Sequence, residues 1–149
     1  MTFAFTERND VERRRLQELV ARLSDRDLSV SLDGGWTVSA VLAHLAFWDR
    51  AAIAILDAWE RDGFQQPLWF DVSEINDAAL PGWLLIPPKD AARQVLAVAA
   101  EVDERTAQVS PHLIPAIVSG GRERVLDRSI HRVEHLNEVE EVLRRRASS

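Results

Sequence analysis

Apolar residues recur at spacings of three and four along four stretches of this chain, and nowhere do they alternate with polar ones long enough to suggest a strand. The first stretch runs from about Thr6 or Asn9 to Leu23, with Leu16, Leu19, Val20 and Leu23 along one side. The run SDRDLSVSLDGG then breaks the period. A second helix is expected to open at GWTVSAVL, where the Thr37 hydroxyl can accept a bond from a free backbone N–H two or three residues on. It continues through SAVLAHLAFWDRAAIAILDAWERD to Gly63, a residue favoured just past helix ends. Residues 64–88 are the longest irregular stretch; within it SEINDAAL reads as a short helix capped by Ser73 and stopped by Pro81-Gly82. A third long helix follows Pro87-Pro88, with Ala92, Val95, Ala99, Val102, Thr106 and Val109 as its seam. Pro111 and Pro115 mark a connection and Gly120-Gly121 a turn, after which the fourth helix covers about 122–146.

Four amphipathic helices and no strand predict an all-α fold, a four-helix bundle. The long connection between the second and third helices is expected to cross the bundle rather than form a tight hairpin. At 149 residues the chain reads as one domain, 1–149, which removes roughly 70% of its unfolded surface from water.

Composition adds exclusions. The chain has no cysteine, so it has neither disulfides nor thiolate metal ligands of its own, which fits a reducing cytoplasm. The net charge of −6 and the lack of a long basic stretch argue against nucleic acid as a partner. The arginines of RRR at 144–146 fall at a helix C-terminus, where they offset the dipole. No basic start followed by an apolar core marks a signal peptide, and no apolar run looks long enough to span a membrane, so a membrane partner is not expected.

The candidate chemistry lies in the histidines. The stretch HRVEH, 131–135, places His131 and His135 one helical turn apart, where two imidazoles can chelate one ion. Two ligands alone hold a metal weakly, and His44, on a face with Val41, Trp48 and Ile55, is the candidate third. The plainer alternatives are a core histidine bonded to a carbonyl and a chance pair on a surface helix. His112, in the proline-flanked connection, is set aside. HRVEH also matches the inverted zincin pattern H-x-x-E-H. That site needs a third ligand and a substrate cleft, yet the residues after His135 only finish the same helix, and no strand is available to hold an extended peptide.

The run GWTVSAVLAHLAFWDR resembles the DinB superfamily of bacterial metal-binding four-helix bundles, also called the DinB/YfiT-like fold. Members open their second helix with Gly-Trp-Ser/Thr, carry a histidine about eight residues on, and bear an H-x-x-x-H pair in the last long helix. SIHRVEHLNEVEEVL sits where that pair is expected, and EIN at 74–76 is similar too. The resemblance spans most of the chain. It implies that His44, His131 and His135 bind a divalent metal, most often zinc or nickel, with positions left open for water or substrate. It also implies a possible cofactor, since some relatives are S-transferases or isomerases that use bacillithiol or mycothiol.

Such a site would let a chain without cysteine borrow its sulfur from a thiol cofactor. Glu134 and Glu138, at i+3 from His131 and His135, are candidates to orient a ligand ring or move a proton, against the plainer reading of solvated charges. Asp49 is turned away from His44 and reads as another solvated charge. Trp48, Trp69, Phe70 and Trp83 are candidate pocket walls or plain packing. Three function classes stay open: a metal-dependent S-transferase, isomerase or hydrolase acting on a small-molecule substrate; a non-catalytic metal- or small-molecule-binding bundle; and a structural bundle that forms a homodimer through helix faces.

Overall fold

The computed structural model describes residues 2–66 and 71–149. The chain is all-α. Among the described residues there are seven α-helices and no strand: α1 (Ala4–Arg22), α2 (Asp25–Leu28), α3 (Val38–Asp62), α4 (Val72–Leu84), α5 (Pro88–Ala107), α6 (Ile114–Ser119) and α7 (Ser129–Ala147). The four long ones meet in a closed cycle, in which α3 packs on α5, α5 on α1, α1 on α7 and α7 on α3.

Two apolar groups fix the directions of these helices. One joins Leu16 and Leu19 of α1, Leu42 and Leu45 of α3, Val95 and Val98 of α5, and Leu136 and Val139 of α7. The other joins Leu56 and Trp59 of α3 to Val109, Leu113, Ile117 and Leu126, with Phe3 and Phe5 packed against it. Both α3 and α5 begin at the first group and end at the second, so they run parallel, and α1 and α7 run opposite to them. With 25 residues, α3 is about 37 Å long, and the chain must travel back that distance before α5 can start. This is why a long connection stands between them.

Several element ends differ from expectation for identifiable reasons. The break after α1 holds a short helix of its own: the Ser24 hydroxyl accepts from the Asp27 N–H while the Asp27 carboxylate accepts from the Ser24 N–H. α4 is capped by Asp71 rather than Ser73, its carboxylate accepting from the Ser73 backbone at 2.9 Å. It also runs through Pro81-Gly82 instead of stopping there. Trp83, buried against Trp36 and Phe47, holds that last turn and offsets the lost hydrogen bond of the proline. α7 starts at Ser129 rather than near 122, because the Asn9 side chain intercepts the chain there. Its oxygen accepts from the Ser129 N–H at 2.9 Å and its amide donates to the Leu126 carbonyl at 2.9 Å. By length and composition α3 would pass for a membrane span, contrary to the sequence reading, yet 61% of its apolar window is buried inside the fold, as in a core helix.

Between the two apolar groups, every long helix contributes buried polar residues: Asn9 from α1, Asp49 from α3, Thr106 from α5, and Ser129 and Arg132 from α7. Arg132 is 1% exposed and reaches all three other long helices. Its guanidinium donates to both oxygens of Asp103 at 2.7 and 3.0 Å, to the Asn9 carbonyl at 3.0 Å, and to Asp49 at 3.5 Å. Removing one partner from a buried charge network is far more costly than never having built it, because the remaining charges stay desolvated. Arg132→Met is expected to lower unfolding free energy by about 3 kcal/mol or more in urea denaturation. A loss below about 1 kcal/mol would mean that Asp103 and Asp49 regain water in the folded state.

Candidate metal centre and its cleft

His44 is placed by the segment that precedes α3. Around the turn at Gly34 and Gly35, whose φ angles are 70° and 81°, Leu32 N–H donates to the Trp36 carbonyl and Val38 N–H to the Val30 carbonyl. Positive φ is a conformation that glycine adopts without a side-chain clash, so the Asp33-Gly34-Gly35 turn suits its sequence. Thr37 then caps α3 as expected, accepting from the Ala40 N–H at 3.1 Å. The Trp36 ring meets the His44 ring edge to face, with centroids 5.2 Å apart, and Trp83 meets it from another side at 5.1 Å. His44 is therefore held on a rigid helix between two indoles.

The three histidines named from the sequence, two by spacing and His44 by its helix face and the family resemblance, come together. His44 Nε2 lies 2.9 Å from His131 Nε2 and 3.1 Å from His135 Nε2. His135 Nδ1–H donates to Glu138 at 3.3 Å, which leaves the His135 Nε2 lone pair pointing inward. Among the described residues, the Nδ1 atoms of His44 and His131 are buried without a partner. Three nitrogens converge and no described carboxylate joins them, an arrangement that a cation at their centre would relieve. One donor nitrogen from each of the three rings lies within 4.8 Å of the others, close enough for a shared divalent ion. The donor set fits a borderline metal such as zinc or nickel.

Burial is the main reason His44 and His131 stay neutral. Desolvation, then the neighbouring His135 and Arg128, hold His44 down to about 3. Desolvation, then His135 and Arg128, hold His131 down to about 2. Neutral imidazole is the ligand form.

An open cleft of about 800 Å³ reaches the three rings. Leu32, Trp36 and Val72 give it apolar wall, and Asn76, Arg124 and Arg145 give it polar rim. Asn76, from the EIN stretch, accepts from the Trp48 indole N–H at 2.9 Å, which fixes α4 against α3 at the mouth. Trp48 thus acts as an anchor, and Trp83 packs behind His44. Trp69 and Phe70 lie outside the described residues. Glu138, half exposed, lies 3.3 Å from His135 Nδ1, where it can orient that ring, whereas Glu134 pairs with Arg124 at 2.6 Å. His112 sits in the short turn Pro111–Leu113, apart from the cluster.

Asp49 departs most from expectation. It is turned away from His44, but it is buried, and it accepts from Arg128 at 2.8 Å. The sequence carried a signal for this. Leu42, Leu45, Asp49, Ala52 and Leu56 are spaced by three and four along one buried face, so an acid stands in an apolar stripe.

Residues 10–133 match the model of the family described as mycothiol maleylpyruvate isomerase N-terminal domain. The match includes His44 and His131 and ends just before His135. No curated protein and no solved structure shows a significant match to the chain.

A pH dependence follows from the two buried histidines. In the unfolded chain each takes a proton near 6.5, while the folded chain refuses it down to about 3 at His44 and about 2 at His131. Between those limits the unfolded state binds more protons, so stability falls as pH falls. With chelator present, the unfolding free energy from urea denaturation is expected to fall steadily below pH 6.5, by up to about 1.4 kcal/mol per pH unit for each histidine. His131→Gln should flatten that slope; an unchanged slope would show that His131 protonates freely in the folded state.

Proposed function

The chain belongs to the mycothiol maleylpyruvate isomerase N-terminal domain family, within the DinB/YfiT-like superfamily of helical metal-binding proteins, and from that membership we propose a divalent-metal protein that transfers or isomerises with a low-molecular-weight thiol. The observation that carries this reading is the convergence of three imidazole nitrogens at the floor of an open cleft. His44, His131 and His135 would hold the metal, with zinc or nickel the best candidates. Once bound, it would supply Lewis acidity, stabilising the thiolate form of a thiol or polarising a carbonyl. The chain's own residues supply the rest. Glu138 fixes the tautomer and orientation of His135. Trp36 and Trp83 keep water away from one side of His44. Among the described residues no fourth side chain joins the cluster, which leaves the cleft side open to a ligand.

The reaction class is addition of a thiol sulfur to an electrophilic carbon of a small-molecule substrate. The product leaves as a thioether, or as an isomer once sulfur departs. Mycothiol and bacillithiol are the candidate cofactors, because the chain has no cysteine to supply the sulfur. One observation favours the second reading, a metal- or small-molecule-binding protein without turnover. Glu134 and Glu138, two acids lining the cleft, each hold a hydrogen bond, to Arg124 and His135 respectively, so neither stands as a free base.

Two measurements test these statements. Protein purified without a histidine tag and without added metal is expected to hold about one divalent ion per chain, and each of His44→Ala, His131→Ala and His135→Ala should lose it. Full retention in His44→Ala would remove the three-histidine site. For the thiol, cobalt-loaded protein is titrated with mycothiol, bacillithiol or glutathione. Sulfur ligation should add an intense near-ultraviolet charge-transfer band that His131→Ala abolishes. If no thiol perturbs the cobalt spectrum at millimolar concentration, the non-catalytic reading replaces the transferase one.

A further inference from the structure

The seam between α3 and α7 is joined by two polar clusters that repeat one pattern. In the first, His44 of α3 meets His131 and His135 of α7, which are four residues apart. In the second, Asp49 of α3 meets Arg128, the residue at the N-terminal cap of α7, and Arg132 within the helix, also four residues apart, at 2.8 and 3.5 Å. On α3 the two anchors are five residues apart; on α7 and its cap the partners interleave as 128, 131, 132 and 135. One carboxylate thus grips two consecutive turns of α7 just where one imidazole must meet two consecutive turns.

This grip is specific in geometry. Arg128 and Asp49 are both buried, with side chains 7% and 3% exposed, so their hydrogen bonds do not compete with water. Arg128 also donates to the Arg124 carbonyl at 2.7 Å, tying the helix start to the preceding turn. A slip of α7 by one residue would rotate the arginines off Asp49 by about 100° and carry both histidines off His44 with them. Apolar packing alone tolerates small slides, whereas a buried ion pair whose partners have no alternative does not; register is the best-attested use of such groups.

We propose that Asp49 and Arg128 are positioning residues for the metal centre, a register lock that sets α7 on α3 so that His131 and His135 meet His44. This rests on the metal-binding reading above. A competing account treats Arg128 merely as a nearby charge. That account has the opposite sign, because a cation close to the histidines repels a dication, and removing it should tighten metal binding.

The test is zinc affinity of the full chain, by competition with a chromogenic chelator, in Arg128→Met and in a control, Ile117→Ala, which opens a cavity in the apolar group at the far end. Arg128→Met keeps the length of the stem and loses the charged fork. The lock predicts that zinc binding weakens by about tenfold or more in Arg128→Met, as for residues that orient ligands, while Ile117→Ala stays within about twofold of wild type. Affinity equal to or tighter than wild type in a folded Arg128→Met overturns it, and so does equal weakening in the control. Arg128→Lys, which keeps the charge but not the planar fork, decides by the same criterion if Arg128→Met fails to fold. A readout without metal separates this from failure of the metal reading. Backbone amides of 131–135 should exchange with solvent about tenfold faster in Arg128→Met than in Ile117→Ala. If wild type binds no zinc, the metal reading falls, and equal exchange in the two variants would overturn the lock itself.

Discussion

The buried guanidinium of Arg132 is the constraint on which the arrangement of the long helices depends. A charge that is 1% exposed cannot be left unpaired, so the chain must bring acceptors to it. It does so from three directions: Asp103 from α5, the Asn9 carbonyl from α1 and Asp49 from α3. Apolar packing would accept several rotations of α7 against its neighbours. A five-donor planar fork with fixed acceptors accepts very few. Desolvation makes such a network weak evidence of net stability, and its use is better read as specificity.

His131 is the residue before Arg132, which makes that specificity relevant to chemistry. Any rotation of α7 that satisfies Arg132 also decides where the His131 ring points. The polar layer faces the protein interior, and the histidines, one residue and one turn away, face the cleft. Asn9 reinforces this by taking the first free N–H of α7, so the helix cannot start a turn earlier and shift its numbering along the seam. Ser129 and Asp127, bonded to each other, and Arg8 on Asp127 extend the same polar layer toward the surface.

The four long helices and the His131–His135 pair were legible because both are written in local spacing, whereas His44 joined them as a histidine on an apolar face and through the family resemblance. Stripes at three and four predict helices, and a pair at i, i+4 shares a face whatever surrounds it. The polar layer was harder to see, for a physical reason. Asp49 is a charged residue on a helix, and most such residues are solvated; only its place between Leu45 and Ala52 in the buried stripe marks it as internal. Arg132 likewise stands in line with Leu136 and Val139. The start of α7 and the passage of α4 through Pro81 were not legible, because each is decided by a distant contact: Asn9 in the first case, Trp83 packed on Trp36 in the second.

The two walls of the candidate metal centre are therefore built differently. α3 is bedded in apolar contact with α5 along most of its length, and its inward residues from Val38 to Ala46 are nearly all buried. Dispersion and burial hold that wall without strong preference for one exact register. α7 meets α3 over a narrower seam, where polar pairs join the helices beside the apolar group that they share. A metal bound only in the folded state would add RT ln(1 + [L]/Kd), about 2.7 kcal/mol at a hundredfold excess, and would add it at this seam. That would make the seam the place where folding and ligand binding are the same event. Buried ion pairs join the two walls there, burial keeps His44 and His131 neutral, and a bound cation would supply the attraction that the facing nitrogens lack.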